Sequence, residues 1–277
     1  LAKVFFLLII TYICTRLLKT QIEIMAYTPL ILITNDDGIT ATGIRTLISV
    51  AQEIGKVVVV APDSPQSGKG HAITVNNTLY LNRLSENEYS CSGTPVDCVK
   101  MAVHEILKQK PDLCISGINH GSNSSINVIY SGTMSAAVEA GIEGIPAIGF
   151  SLADFSWHAD FEPVKSFTRK IICSVLENNL PKGVVLNVNF PKLSENKIKG
   201  IKICRQANAV WIERFDKRQT PHGRDYYWLT GEFVNYDKGE DTDEWALANG
   251  YVSVVPVQFD LTAHHAIQTL NTWNIDE

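Results

Sequence analysis

Along this chain the apolar positions follow two rhythms. Short unbroken runs of branched residues alternate with stretches in which apolar residues recur every three or four positions. The first run, Leu30-Ile31-Leu32-Ile33, shows no polar alternation, as suits a strand buried on both faces of a parallel sheet, and it stops at Asn35-Asp36-Asp37-Gly38. Ile44, Leu47, Ile48 and Ala51 then recur at helical spacing, and this predicted helix ends near Gly55. A second run, Lys56 to Ala61, is broken by Pro62-Asp63 and followed by a polar, glycine-containing loop, Ser64 to His71. Ile73 to Leu81 alternates loosely and predicts one or two short strands. Thr94-Pro95-Val96-Asp97 has the make-up of a helix start: Thr at the N-cap, Pro at the first helical position, Asp near the positive end of the dipole. That helix carries Val99, Ala102, Val103 and Ile106 on one face and ends at Lys110-Pro111. A third run, Leu113 to Ser116, leads into Gly117-Ile118-Asn119-His120-Gly121. A loop rich in Ser and Asn then reaches Ser131-Gly132-Thr133, in front of a helical Met134 to Gly141, and Pro146 to Phe150 is a fourth strand.

Strand–helix–strand, a short β excursion, then helix–strand–helix–strand is the order of an α/β, doubly wound, mostly parallel sheet. The later part of the chain differs in texture. Phe161 to Leu180 predicts a helix and Val184 to Phe190 a strand; Ile198 to Tyr236 is strand-like and aromatic. A short helix over Asp241 to Asn249, a strand over Tyr251 to Val257 and a terminal helix over Ala263 to Trp273 complete the prediction. Residues 25–155 are thus expected to form the catalytic core. Residues 156–277 are expected to supply the remaining sheet elements and an appendage, whose aromatic residues suit a subunit interface or a second small core.

A chain of 277 residues with 45% hydrophobic content can build one large domain, or a domain with an appendage. A net charge of −5 argues against non-specific binding to nucleic acid or to an anionic membrane. It leaves room for a small anionic substrate, because a cation or a helix N-terminus reverses the field locally. The cysteines, Cys14, Cys91, Cys98, Cys114, Cys173 and Cys204, form no C-x-x-C pair, and several sit in apolar runs. Buried reduced thiols and a cytoplasmic location are expected. Near the start, Val4 to Ile13 is apolar between Lys3 and Arg16, too short to span a membrane and without a small-x-small cleavage pattern before Met25. The expectation is that Leu1 to Ile24 lie upstream of a natural start at Met25 and outside the fold.

Three strand ends carry oxygen donors: Asp36 and Asp37, then Ser67, then Asn119. Two anionic and two neutral hard ligands suit Mg²⁺ or Mn²⁺, with water completing the octahedron. Adjacent carboxylates repel unless a cation or proton intervenes, although Asp-Asp-Gly is also an ordinary solvated turn. Ser131-Gly132-Thr133 at a helix start offers N–H groups and hydroxyls to an anion, and Gly132 permits close approach. A dication beside such a site implies a phosphate between them, with water activated for hydrolysis. His71 and His120 lie close enough in sequence to these features to donate a proton, and Lys69 to aid phosphate binding; loop residues bonded to backbone or solvent are the plainer reading of all three. No G-x-G-x-x-G, Walker A or G-x-S-x-G pattern is present, which disfavours dinucleotide-binding, P-loop and α/β-hydrolase chemistry.

At these residues the sequence closely resembles the SurE family, stationary-phase survival proteins that are metal-dependent nucleotidases. The matching motifs are Thr34-Asn35-Asp36-Asp37-Gly38, Val60-Ala61-Pro62-Asp63 with Ser67-Gly68, Gly93-Thr94-Pro95-Val96-Asp97-Cys98-Val99, Ser116-Gly117-Ile118-Asn119-His120-Gly121 and Tyr130-Ser131-Gly132-Thr133. A later match, Gly223-Arg224-Asp225-Tyr226-Tyr227-Trp228, is preceded by His222 where the family pattern has Arg. The resemblance implies a Rossmann-like sheet with a C-terminal hairpin and helix used for oligomerisation, as a homodimer or homotetramer. It implies that Asp36, Asp37, Ser67 and Asn119 bind one divalent cation, and that Asn123, Ser131, Gly132 and Thr133 surround the phosphate. The implied activity is that of a 5′-nucleotidase on nucleoside monophosphates, extending in some members to 3′-monophosphates and polyphosphate.

Asp36, Asp37 and Asn119 are accordingly the candidate catalytic residues. In-line attack by an activated water is the expected route, and an aspartyl-phosphate on Asp36 or Asp37 the competing one. Two other functions stay in view: a nucleotide-binding module without turnover, and an oxidoreductase on the same broad fold.

Overall fold

The computed structural model describes residues 27–275. The expected upstream segment, Met25 and Cys14 lie outside the described residues. A nine-stranded sheet, ordered β3-β4-β2-β1-β5-β6-β7-β11-β8, forms the centre. β1 (Leu30–Thr34) lies between β2 (Lys56–Pro62) and β5 (Leu113–His120), parallel to both. β6 (Ala147–Leu152) and β7 (Val184–Phe190) extend the parallel order beyond β5. β4 (Glu88–Cys91) joins the other side parallel to β2, edged by antiparallel β3 (Leu81–Arg83).

Strand alternation explains why the apolar runs are unbroken. Ile31, Ile33, Val57, Val59, Leu113 and Ile115 face one core, shared with α1 (Thr42–Gln52) and α5 (Lys165–Asn178). Leu32, Val60 and Cys114 face the other, shared with α2 (Pro95–Met101) and α4 (Gly132–Ile142). With helices on both faces, every position in a central strand is interior. α2 runs on into a π-helical turn, Ala102–Ile106, and one further helical turn, α3 (Asn127–Tyr130), follows β5 before α4. The Thr94 cap of α2 forms as expected, as a full capping box with Asp97.

The segment from Ile73 to Tyr80 forms no strand. Ile73, Val75 and Tyr80 are more than half exposed, so its loose alternation buries no face. The strand beside β2 is instead Glu88–Cys91, whose polar composition conceals it.

From the later residues, β8 (Ile201–Ile203), β11 (Val252–Gln258) and β7 belong to the main sheet, β11 antiparallel to β7. β9 (Ala209–Gln219) and β10 (Asp225–Asn235) form a separate two-stranded hairpin, with His222 and Gly223 at its tip. α6 (Asp243–Ala248) and α7 (His264–Leu270) match the two short helices expected there. Cys91, Cys98, Cys114, Cys173 and Cys204 are all free, and all but Cys173 are buried. Among the described residues, no helix is long and apolar enough to cross a membrane.

Candidate active site

β1 and β5 are adjacent, yet the chain leaves them toward opposite sides of the sheet. Such a switch point opens a crevice at the carboxyl ends of the strands, where α/β sheets bind ligands. Asp36 and Asp37 follow β1, while Asn119 and His120 end β5 after a break in register at Ser116. Five buried side-chain polar atoms lack a protein partner among the described residues. Four of them, on Thr34, Asn35, Ser116 and His120, belong to these two strand ends. Unpaired buried polar groups are uncommon in folded proteins, and their concentration here marks a site rather than a packing surface.

The acidic turn is tightly built. The Asn35 side-chain amide donates to the Gly38 carbonyl at 2.9 Å, and Gly38 adopts φ +98°, which suits glycine. The Gln66 N–H donates to the Asp36 carbonyl at 2.7 Å, tying the loop that carries Ser67 to this turn. Asp36 and Asp37 are both buried. The Thr133 hydroxyl donates to Asp36 Oδ1 at 2.5 Å, and the Thr133 backbone N–H supports the same carboxylate. Asp37 Oδ2 accepts from the His120 N–H at 3.2 Å and meets His120 Nδ1 at 2.9 Å. The imidazole is clamped in turn, edge-on to Phe161 at 5.0 Å and beside Trp157 at 5.7 Å.

Burial, and then the neighbouring charge of Asp37, raise the Asp36 pKa from 3.8 to about 6; the Thr133 contacts pull the other way. No Lys or Arg pairs with either carboxylate among the described residues. The Asn119 amide nitrogen donates to the Gly121 carbonyl at 2.8 Å, which leaves the amide oxygen as its ligating group. Among the described residues, no three His, Cys, Asp or Glu side chains converge to hold a metal. Two carboxylates and the neutral oxygens of Asn119 and Ser67 line one cleft, a hard-oxygen set of the kind that would suit Mg²⁺ or Mn²⁺.

The second half of the site is the start of α4. Ser131 is its N-cap, with Oγ accepting from the Met134 N–H at 3.0 Å. A Cβ on Gly132 would stand 2.7 Å from the Asp36 Cβ and 2.9 Å from its Oδ2, so only glycine lets this helix start reach the carboxylate. Asp36, Asp37, Ser67, Asn119, Asn123 and Ser131 all line one cleft of about 360 Å³. Thr133 is fully buried behind Asp36, and neither it nor Gly132 lines the cleft. Lys69 is exposed and also outside it, whereas His71 pairs with Glu139 Oε2 at 2.8 Å, away from the carboxylates.

Asn123 is set by residues that sequence reasoning passed over. Its N–H donates to Asn189 Oδ1 at 2.8 Å, its carbonyl accepts from Asn187 Nδ2 at 2.8 Å, and its own Nδ2 donates to Ser151 Oγ at 2.7 Å. Asn187 and Asn189 are buried two residues apart on β7. Two amides on one face of an otherwise apolar strand were the available signal. Asn127, Phe155, Trp157 and Trp211 also line the cleft without having been singled out.

The family model described as "Survival protein SurE" matches residues 31–213. A Flavobacterium psychrophilum protein named 5′-nucleotidase SurE is 75% identical over 254 residues, covering 90% of this chain and 99% of its own length. A Phocaeicola vulgatus protein of the same name is 46% identical, covering 90% of this chain and 98% of its own. The crystal structure of the SurE protein from Aquifex aeolicus superposes with a TM-score of 0.79 at 40% identity, covering 88% of this chain and 98% of that one. On the matched motifs, the shared fold and the near-complete coverage of these relatives, this chain belongs to the SurE family.

Proposed function

We propose that this chain is a divalent-metal-dependent 5′-nucleotidase, a phosphomonoesterase releasing nucleoside and phosphate, as the names of its relatives indicate. The observation that carries the reading is the pair of buried carboxylates, Asp36 and Asp37, with no Lys or Arg partner among the described residues, facing the cleft beside the start of α4. One Mg²⁺ or Mn²⁺ per subunit is held by Asp36, Asp37, Ser67 and Asn119 in this reading. When bound, the cation neutralises phosphoryl oxygens and acidifies water.

The remaining roles belong to the chain itself. Thr133 holds the Asp36 carboxylate and His120 that of Asp37, so neither rotates as the substrate enters. The Ser131 hydroxyl and the positive end of α4 receive the phosphate, and Gly132 lets that helix start stand against Asp36. Asn123 borders it, its backbone fixed by Asn187 and Asn189.

All of these ligands come from residues 25–155, and residues 156–277 buttress the sheet and carry the hairpin. Exposed Phe215, Tyr227, Trp228 and Leu229 on that hairpin support a homodimer or homotetramer, which light scattering would test. The buried free thiols support a cytoplasmic location.

The test is phosphate release from nucleoside 5′- and 3′-monophosphates and polyphosphate, with chelator, Mg²⁺ or Mn²⁺. Metal-dependent release from the 5′-monophosphates is expected. No release under any metal, from folded protein that still binds nucleotide, would replace this reading with that of a silent binding module.

A further inference from the structure

Against the loop that carries Asn123 lies another buried carboxylate, Asp243, in the first turn of α6. Its Oδ2 accepts from the Ser125 N–H at 2.7 Å, and its Oδ1 from the Ala207 N–H at 2.9 Å and the Glu244 N–H at 2.8 Å. Ser125 belongs to the loop between Asn123 and α3, Ala207 to the chain entering the hairpin, and Glu244 to α6 itself. A carboxylate offers lone pairs to all of these donors and carries no hydrogen to oppose any of them. Ser125 needs such a tie. It is fully buried at φ +52°, in the left-handed region that a residue with a Cβ enters at a cost. Its hydroxyl donates to the Ala207 carbonyl at 2.8 Å and accepts from the Ala209 N–H at 3.2 Å, and the neighbouring Ser124 hydroxyl donates to Glu244. The hairpin base that receives these bonds is itself closed, because the Arg205 guanidinium spans Asp237 at 2.6 Å and Asp241 at 2.8 Å. On one flank of Ser125 stands Asn123; on the other, α3 leads directly to Ser131.

We propose that Asp243 is a positioning residue for phosphate binding: through the Ser125 N–H it holds the loop in the conformation that brings Asn123 and Ser131 to one phosphate. This role rests on the nucleotidase reading and deepens it. Asp243 acts from 118 positions away and lies outside the cleft. Asp36 and Asp37 are held from other segments, by Thr133 and His120, so the metal side is spared when Asp243 is changed.

Asp243→Asn is a selective perturbation. Its amide oxygen keeps the most bonds by turning toward Ala207 and Glu244, which sets the NH₂ against the Ser125 N–H. The test measures hydrolysis of AMP, inhibition by inorganic phosphate and calorimetric binding of Mn²⁺ alone, in the wild type and the variant. Loss of the loop's position raises KM for AMP and Ki for phosphate about tenfold, with kcat within about twofold. The Kd for Mn²⁺ and the circular dichroism spectrum stay at their wild-type values, whereas a merely structural role would lower Tm and leave KM and Ki alone. Hydrogen exchange in the wild type gives a second measurement, one that stands even if the variant fails to fold. Saturating inorganic phosphate slows exchange of the Ser125 amide about threefold, because phosphate and loop stabilise each other reciprocally. Unchanged KM and Ki in folded Asp243→Asn, an equal loss of Mn²⁺ affinity, or exchange indifferent to phosphate overturns the positioning role alone. Absence of phosphate release by the wild type overturns the nucleotidase reading and this role with it.

Discussion

Replacing Asp36 by Asn separates the stability of this fold from its function. The carboxyl of Asp36 titrates near 6 in the native protein against 3.8 as its ordinary value, because it is buried next to Asp37. Two units correspond to about 3 kcal/mol by which the ionised form strains the metal-free native state at neutral pH. The direction follows from the weaker acidity of the folded carboxyl. Its favourable contribution is complete below pH 3.8 and is lost as pH rises through about 6. Asn is nearly isosteric, keeps an oxygen for the Thr133 hydroxyl and removes the charge. Its amide hydrogens lose some of the gain in a buried position, which leaves about 1–2 kcal/mol. For a domain of this size that raises Tm in chelator by about 2–8 °C at pH 8. The difference shrinks as pH falls through 6, closes at about pH 5 and reverses at pH 4, where the wild-type carboxyl is neutral and only the cost of the buried amide remains.

Metal reverses the order. A cation at about 100 times its Kd stabilises the wild type by about 2.7 kcal/mol, and the variant, short of one anionic ligand, gains little. Differential scanning fluorimetry with chelator and with Mn²⁺ therefore shows two crossing lines. A lower Tm for Asp36→Asn in chelator at pH 8 would refute the strain argument. A wild-type Mn²⁺ shift in the variant would refute the ligand assignment.

The other predictions concern the groups around that carboxylate. Asp37→Asn abolishes metal-dependent turnover with circular dichroism unchanged, and near-wild-type activity would remove Asp37 from the metal site. Gly132→Ala places a methyl 2.7 Å from the Asp36 Cβ, and since that neighbour is short and buried the start of α4 has to retreat. We expect kcat/KM to fall at least about tenfold, the equivalent of 1.4 kcal/mol, with helix content kept; full activity would mean that the close approach is dispensable. Asn189→Ala leaves the Asn123 N–H without its acceptor, at about 1–3 kcal/mol of stability. It raises KM for nucleotide more than it weakens Mn²⁺ binding, as calorimetric titration of the metal would show. Equal losses in both would place Asn123 elsewhere in the mechanism.

What the sequence disclosed and what it withheld divide along a physical line. Leu30 to Ile33 and Leu113 to Ser116 were legible as strands because burial on both faces writes itself into consecutive residues. The groups that follow such strands were legible for the same reason, since a strand end in a doubly wound sheet delivers whatever comes next to the crevice. Asp36, Asp37, Asn119 and Ser131 needed no knowledge of distant contacts to be placed there.

The groups that orient them carry no such local mark. His120 meets Asp37 across 83 positions, Thr133 meets Asp36 across 97, and Asn189 meets Asn123 across 66. Each pairing exists only once the strand order β1-β5-β6-β7 is in place. The polar strand Glu88–Cys91 was hidden likewise, its place decided by β2 rather than by its own composition. A site assembled this way ties ligand geometry to the register of the sheet. Asn119, for example, reaches the cleft past a register break between β5 and β6. Substitutions that leave every proposed ligand in place but disturb those strands, or the Asn187–Asn189 pair, are therefore expected to reach the chemistry. They do so by moving carboxylate and amide oxygens whose proposed convergence on a cation tolerates only a fraction of an ångström.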